Sequence, residues 1–469
     1  VSEPLWRKSA TQLAALIARR DVSSREVVAA HLARIAEVDP HINAMPVVLE
    51  RSALAGADAA DRAIKRGERG GPLRGVPLSI KTNIDLVGQP TTHGVPMLAN
   101  AMPAQDHPIV ERMKAAGAIP IGRTNMPDMG LRLHTDSALY GLTRNPWNLA
   151  RTVGGSSGGE AAALATGMSP LGLGNDIGGS LRNPAFCCGV ASLKPSFGRI
   201  PHASSLEPAS GSLVAQMMAV QGPMARTVAD LRVALAIVAG PHPRDPLSYP
   251  APLDAPAPQI PVRVALVPHP PGGTTAPALR DAVKRAGTAL AAAGYRVDEV
   301  APPMVEDAIQ TWGRWLSWEF GVLREQLTGA MSPDAKAFFG AFMDLFGPAT
   351  YADSVMLMIK RHQIARAWSE FFAEYPLIVG PTWCEPQFEH GYDVANARSA
   401  ADVVNLMRFV TPMNLLGLPV VCVPTGVAAG LPTGVQVIGD RFREDLCLAA
   451  GSAIETALGR ITPIDVVVA

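Results

Sequence analysis

Three segments of the sequence carry side chains able to do chemistry. The first, Pro77-Leu-Ser-Ile-Lys81, ends an apolar run on Lys81, one of only eight lysines in the chain. Its simplest reading is a lysine snorkelling to solvent from a strand end. A desolvated lysine, by contrast, loses its proton more easily and serves as a base near neutral pH. The second segment, Gly154-Gly-Ser-Ser-Gly-Gly159, reads in three ways. It is a flexible loop, a cradle of backbone N–H groups for phosphate ahead of a helix, or a nucleophile elbow, since Gly154 to Gly158 fits G-x-S-x-G. It lacks the G-K-[ST] ending of a P-loop and the GxGxxG spacing. An elbow also needs a hydrophobic strand just before it, and residues 142–153 supply none, so the elbow is rejected. The third, Gly174-Asn-Asp-Ile-Gly-Gly-Ser-Leu-Arg182, places Ser180 directly after two glycines. Without Cβ atoms, Gly178 and Gly179 let neighbouring N–H groups converge where an oxyanion forms as the serine attacks a carbonyl. A tight turn has the same letters.

The elements needed to hold these segments follow from periodicity. Residues 10–20 and 24–37 predict two helices, the second opened by a Ser23–Glu26 capping box. Helices are also expected over 50–66, 108–116 (closed by Gly117) and 227–238, with Glu160 to Leu164 starting another. Strand signals fall at 75–80, 118–122, 262–267, 377–380, 419–424 and 435–438, and the chain ends in a helix near 442–458. Alternation of this kind predicts an α/β fold, a mixed twisted β-sheet covered by helices on both faces. Proline and aspartate punctuate residues 240–260 as a surface crossover, and no repeat of 20–50 residues appears. One domain over 1–469 is expected, with a motif core at 70–230 and a helical subregion rich in Trp, Phe and Met at about 303–375.

Composition narrows the function classes. The 469 residues hold 41 Lys+Arg against 41 Asp+Glu, so no net field draws the chain to nucleic acid or anionic membrane. Charged residues are 17%, below the roughly 25% typical of soluble proteins. No apolar run reaches the roughly 18 residues of a membrane span. Five cysteines, two of them adjacent and none in a CxxC pair, argue against a disulfide framework and for a reducing, cytoplasmic setting. The ten histidines are too scattered for HExxH, so no metal is expected. Val1 in place of Met reads as a processed or trimmed start, and nothing present looks like a signal peptide.

Lys81, then GGSSGG, then DIGGSLR in this order resembles the amidase signature family. The resemblance covers most of the chain, through Gly122-Arg-Thr-Asn-Met-Pro127, Asn145-Pro-Trp147, Ser192-Leu-Lys-Pro-Ser-Phe-Gly-Arg199, Gly222-Pro-Met-Ala-Arg226, Asn414-Leu-Leu-Gly-Leu-Pro419 and Gly434-Val-Gln-Val-Ile-Gly439. It implies a hydrolase with Ser180 as nucleophile, Ser156 as a bridging serine behind a cis peptide bond, and Lys81 as base. By the same resemblance Ile177, Gly178, Gly179 and Ser180 supply oxyanion N–H groups, while Ser157, Asp176 and Arg182 support the loop. No cofactor is implied. The substrate is then a small amide, or an ester or carbamate, and a homo-oligomer is compatible with the sequence.

The resemblance does not choose the substrate. Trp312, Trp315 and Trp318 recur at i, i+3, i+6, followed by Phe338, Phe339, Phe342, Met343, Phe346, Met356 and Met358. They read either as an ordinary core stripe or as the wall of an apolar, aryl-accepting pocket. One family branch instead releases ammonia from glutamine within a tRNA-linked complex; Asn175 and Ile177 around Asp176 slightly disfavour it. From a different class, a nucleotide- or phosphate-binding protein would use GGSSGG as its anion cradle.

Overall fold

The computed structural model describes residues 3–206, 211–256 and 261–466. In chain order its strands are β1 (Val47–Val48), β2 (Pro77–Lys81), β3 (Ile119–Thr124), β4 (Asp136–Ser137), β5 (Gly141–Leu142), β6 (Leu171–Asp176), β7 (Ala191–Lys194), β8 (Val220–Ala225), β9 (Arg263–Leu266), β10 (Arg296–Glu299), β11 (Leu377–Pro381), β12 (Val420–Ala428) and β13 (Leu431–Gly439). Eleven form one sheet in the order β1-β3-β2-β6-β8-β7-β12-β13-β11-β9-β10, while β4 and β5 pair separately. The sheet is mixed: β2 runs parallel to β3 and β6, whereas β6, β8, β7, β12, β13 and β11 pair antiparallel in turn. Helices cover both faces, as the alternation of elements predicts.

Side-chain alternation along β2 and β6 separates core from chemistry. Leu78 and Ile80 of β2 join Leu171 and Leu173 of β6 in one apolar cluster, under helices Ala10–Arg19, Pro108–Ala115 and Val228–Val238. Ser79 points the other way, to Glu160 at the start of the fully buried helix Gly158–Ala165. That helix lies against the sheet because β6 presents glycine there: a Cβ on Gly172 would sit 1.8 Å from Glu160 Oε1, and one on Gly174 2.8 Å from Ser157 Oγ. β2 and β6 therefore end side by side, delivering Lys81 and Asp176.

Most predicted elements lie within one or two residues of their expected places, including the Ser23–Glu26 capping box. No strand leads directly into Gly154, in agreement with rejection of the elbow. Residues 174–182 resolve into the end of β6, a turn and the start of the helix Arg182–Cys188. The pattern misses helices Leu213–Met218, Pro277–Ala292 and Ala397–Leu406 and strands β7, β8 and β10. Residues 240–256 of the Pro/Asp-rich crossover form turns and coil, and 257–260 lie outside the described residues. Residues 303–375 form helices Val305–Val322, Arg324–Ala330, Pro333–Phe346 and Tyr351–Glu374. The five cysteines are buried and free, and no described helix is long and apolar enough to cross a membrane.

Candidate active site

Lys81 is fully buried and stands at the centre of the polar network. Its Nζ donates to Ser156 Oγ at 2.7 Å and to Asn175 Oδ1 at 2.7 Å, and Asn175 Nδ2 in turn donates to Asn83 Oδ1 at 2.9 Å. Burial pulls the amine down from 10.5 to about 7, against the opposing pull of the Asp176 and Glu160 carboxylates. Desolvation thus overcomes both anions, and a large neutral fraction exists at neutral pH. Glu160 is pushed up to about 7 by its own burial, although Ser79 Oγ and Thr124 Oγ1 both donate to it.

The peptide between Gly155 and Ser156 is cis. Ser157 contributes through its backbone: its N–H donates to Ser180 O at 3.2 Å, joining the two glycine loops, while its hydroxyl has no partner among the described residues. The phosphate-cradle reading fails on the same loop. It is buried, and the N–H groups of Gly154, Ser157 and Gly159 are taken by Thr152 Oγ1, Ser180 O and Asn125 O.

Asp176 and Arg182 form a fully buried ion pair. Arg182 Nε and a terminal nitrogen each meet the carboxylate at 3.0 Å, and Asn414 Nδ2 adds a bond of 2.8 Å. Burial alone would raise this carboxyl, but the Arg182 guanidinium, Lys194 and Asn414 hold it well below the usual carboxylate range. Asp176 also accepts from the N–H of Gly179 at 2.7 Å and of Leu181 at 3.1 Å. This corrects one expectation. The Gly179 N–H is bound to Asp176 and is not available to an oxyanion. Those of Ile177, Gly178 and Ser180 have no partner among the described residues, and these three residues line the cavity whereas Gly179 does not.

Ser180 is 7% exposed and opens into this cavity. No hydrogen bond joins its hydroxyl to that of Ser156 among the described residues. Opposite it stand Trp312, Leu316, Phe320, Phe338, Phe339 and Phe342. The aromatic stripe therefore divides. Trp315 is buried in the core, Met343 and Phe346 pack behind the wall, and Met356 and Met358 face solvent at 62% and 41% exposure. Two contacts hold the helix Pro333–Phe346 to the site: Asp128 Oδ2 accepts from Ser332 N at 2.7 Å, and buried Arg132, itself paired with Asp393 at 2.6 Å, reaches Asp334 at 3.7 Å. No group of His, Cys, Asp and Glu suited to a metal occurs among the described residues.

The Amidase family profile matches residues 26–448. The chain belongs to that family. Its chemistry is therefore hydrolysis of amide C–N bonds. The chain is 41% identical over 460 residues to an indoleacetamide hydrolase of Bradyrhizobium diazoefficiens, covering 97% of this chain and 87% of that protein. It is 33% identical to a glutamyl-tRNA(Gln) amidotransferase subunit of Acidothermus cellulolyticus, covering 97% and 95% of the two chains. Among solved structures it is similar to 6-aminohexanoate cyclic dimer hydrolase with its substrate bound, at TM-score 0.83 and 28% identity, covering 97% of this chain and 98% of that one.

Glu160, Asn83 and Asn414 carry no distinct signal in the sequence. Asn414 sits in a segment that supports the resemblance, but its contact with Asp176 depends on a fold that joins residues 238 positions apart.

Proposed function

We propose that the chain hydrolyses small, apolar, aryl-bearing primary amides through an acyl-enzyme on Ser180. The observation carrying this reading is the single cavity onto which Ser180, three unpartnered N–H groups and an aromatic wall all open. Neutral Lys81, with one N–H engaged by Asn175, turns its lone pair to the Ser156 hydroxyl. Ser156 passes its proton to Lys81 as it takes that of Ser180, whose oxygen attacks the carbonyl. The oxyanion is held by the N–H groups of Ile177, Gly178 and Ser180. The proton then returns along the same path to the leaving amine, releasing ammonia from a primary amide. Water, deprotonated by the same relay, cleaves the ester at Ser180. This relay needs a Ser180–Ser156 hydrogen bond that the resting site lacks, and substrate binding has to close it, as is common for catalytic contacts in unliganded enzymes.

Indoleacetamide, the substrate in the name of the 41%-identical relative, has the expected form: a flat apolar ring one methylene from a primary amide. The wall favours this over glutamine. Glutamine brings an ammonium and a carboxylate, and Arg132, the one charged side chain among the described residues lining the cavity, is already paired with Asp393. Esters and carbamates of the same shape fit the same oxyanion site. The test is mass spectrometry of protein incubated with indoleacetamide, phenylacetamide, their methyl esters and glutamine. An acyl adduct on Ser180 with aryl substrates is expected; release of ammonia from glutamine alone would overturn the proposal.

A further inference from the structure

Trp312 stands where the wall meets the oxyanion loop. Its indole Nε1–H donates to the carbonyl oxygen of Ile177 at 3.2 Å. That carbonyl belongs to the same peptide unit as the N–H of Gly178. The unit is trans, so its C=O and N–H point in opposite directions across one plane. Fixing the carbonyl on the indole therefore aims the Gly178 N–H away from Trp312 into the cavity. The bond also polarises the peptide and strengthens its N–H as a donor.

The packing enforces this arrangement. A Cβ on Gly178 would lie 2.6 Å from a ring carbon of Trp312, so the indole rests on the one face that glycine leaves open. Behind it the ring meets Phe342 and Phe346 edge-on, at 5.8 and 6.3 Å between centroids and 87° and 82° between planes. Trp312 is 3% exposed, and its N–H has no solvent to turn to.

We propose that Trp312 is a positioning residue for the reaction, setting the direction of the Gly178 N–H through the shared Ile177–Gly178 peptide as well as walling the acyl pocket. This rests on the hydrolase reading above. The two roles separate by substrate. A wall residue matters only to an acyl group large enough to reach it, whereas a misaimed oxyanion donor slows every substrate.

The test compares Trp312→Phe with replacement of Trp312 by benzothienylalanine, which keeps the bicycle and deletes only the N–H. Each is assayed on propionamide and phenylacetamide and by the rate of Ser180 labelling with a fluorophosphonate, with Tm recorded alongside. Should Trp312→Phe fail to fold, the isosteric replacement carries the test. The expected result is a fall in kcat of about tenfold on both amides, less than the roughly hundredfold or more of deleting a donor outright. KM for propionamide stays unchanged and labelling slows in parallel. A kcat on propionamide within twofold of wild type, or a loss confined to phenylacetamide, overturns the positioning role. Wild-type protein that neither labels at Ser180 nor hydrolyses either amide overturns the hydrolase reading, and this role with it.

Discussion

The two sides of the cavity are built on opposite principles. The floor, from Lys81 to Arg182, is polar and buried, and directional bonds fix its charged groups, Lys81 to Ser156 and Asn175, Gly179 to Asp176, Arg182 to Asp176 and Asn414, while the N–H groups of Ile177, Gly178 and Ser180 are left open to the cavity. The wall, from Trp312 to Phe342, is held by ring packing, with one hydrogen bond from Trp312 crossing to the floor. Directional bonds fix where charge develops, and non-directional burial decides which acyl group is welcome. Rate and selectivity should therefore separate by region.

The largest effect is expected on the floor. Ser180→Ala and Lys81→Ala should each lower kcat on an arylacetamide by about 10⁴-fold or more while far-UV circular dichroism stays unchanged. Ser156→Ala should be severe but incomplete, because water can partly replace the relay. Near-normal turnover by Ser180→Ala would remove the basis of the contrast. Next comes stability. Arg182→Met leaves Asp176 buried without its partner and should cost about 3–5 kcal/mol in urea unfolding, together with activity, since Asp176 also holds Gly179 and Leu181.

On the wall, Phe342→Ala should lower kcat/KM for phenylacetamide by roughly tenfold or more, the worth of burying about one aromatic side chain, and leave propionamide nearly unaffected. Equal losses on both substrates would show that the wall is not where selectivity resides. The smallest effect concerns pH. Lys81 must be neutral to act, so kcat/KM should rise with pH through about 7, the value to which burial brings it. Asn175→Asp places a carboxylate where a neutral amide now faces the amine. The ammonium is then favoured, and the acidic limb should move upward by about 1–2 units. A pH profile of the variant that overlays the wild type would separate Asn175 from Lys81.

The sequence discloses the floor better than the wall. Lys81, Ser156 and Ser180 stand in short glycine-rich segments whose order is distinctive, and the β2 strand that carries Lys81 is readable from its apolar run. Gly179 illustrates the limit: its letters mark it as an oxyanion donor, but the turn from Asp176 aims its N–H back at that carboxylate. In the wall, a stripe of Trp and Phe has helical spacing whether it faces core or cavity. Trp315 and Trp312 lie three residues apart, and only tertiary packing sends one inward and the other to Gly178. The partners of Glu160 were equally hidden, because glycines in β6 decide how closely its helix approaches.

The tethers from Asp128 to Ser332 and from Arg132 to Asp334 give the helical cover its own fastenings, separate from the hydroxyls and amides beneath. Such a lid can drift in sequence as a unit. A lineage that exchanges aromatic rings there for smaller or charged groups acquires a new diet yet inherits the same cutting edge, and it needs to preserve little more than those two clasps and the indole that rests on the blade.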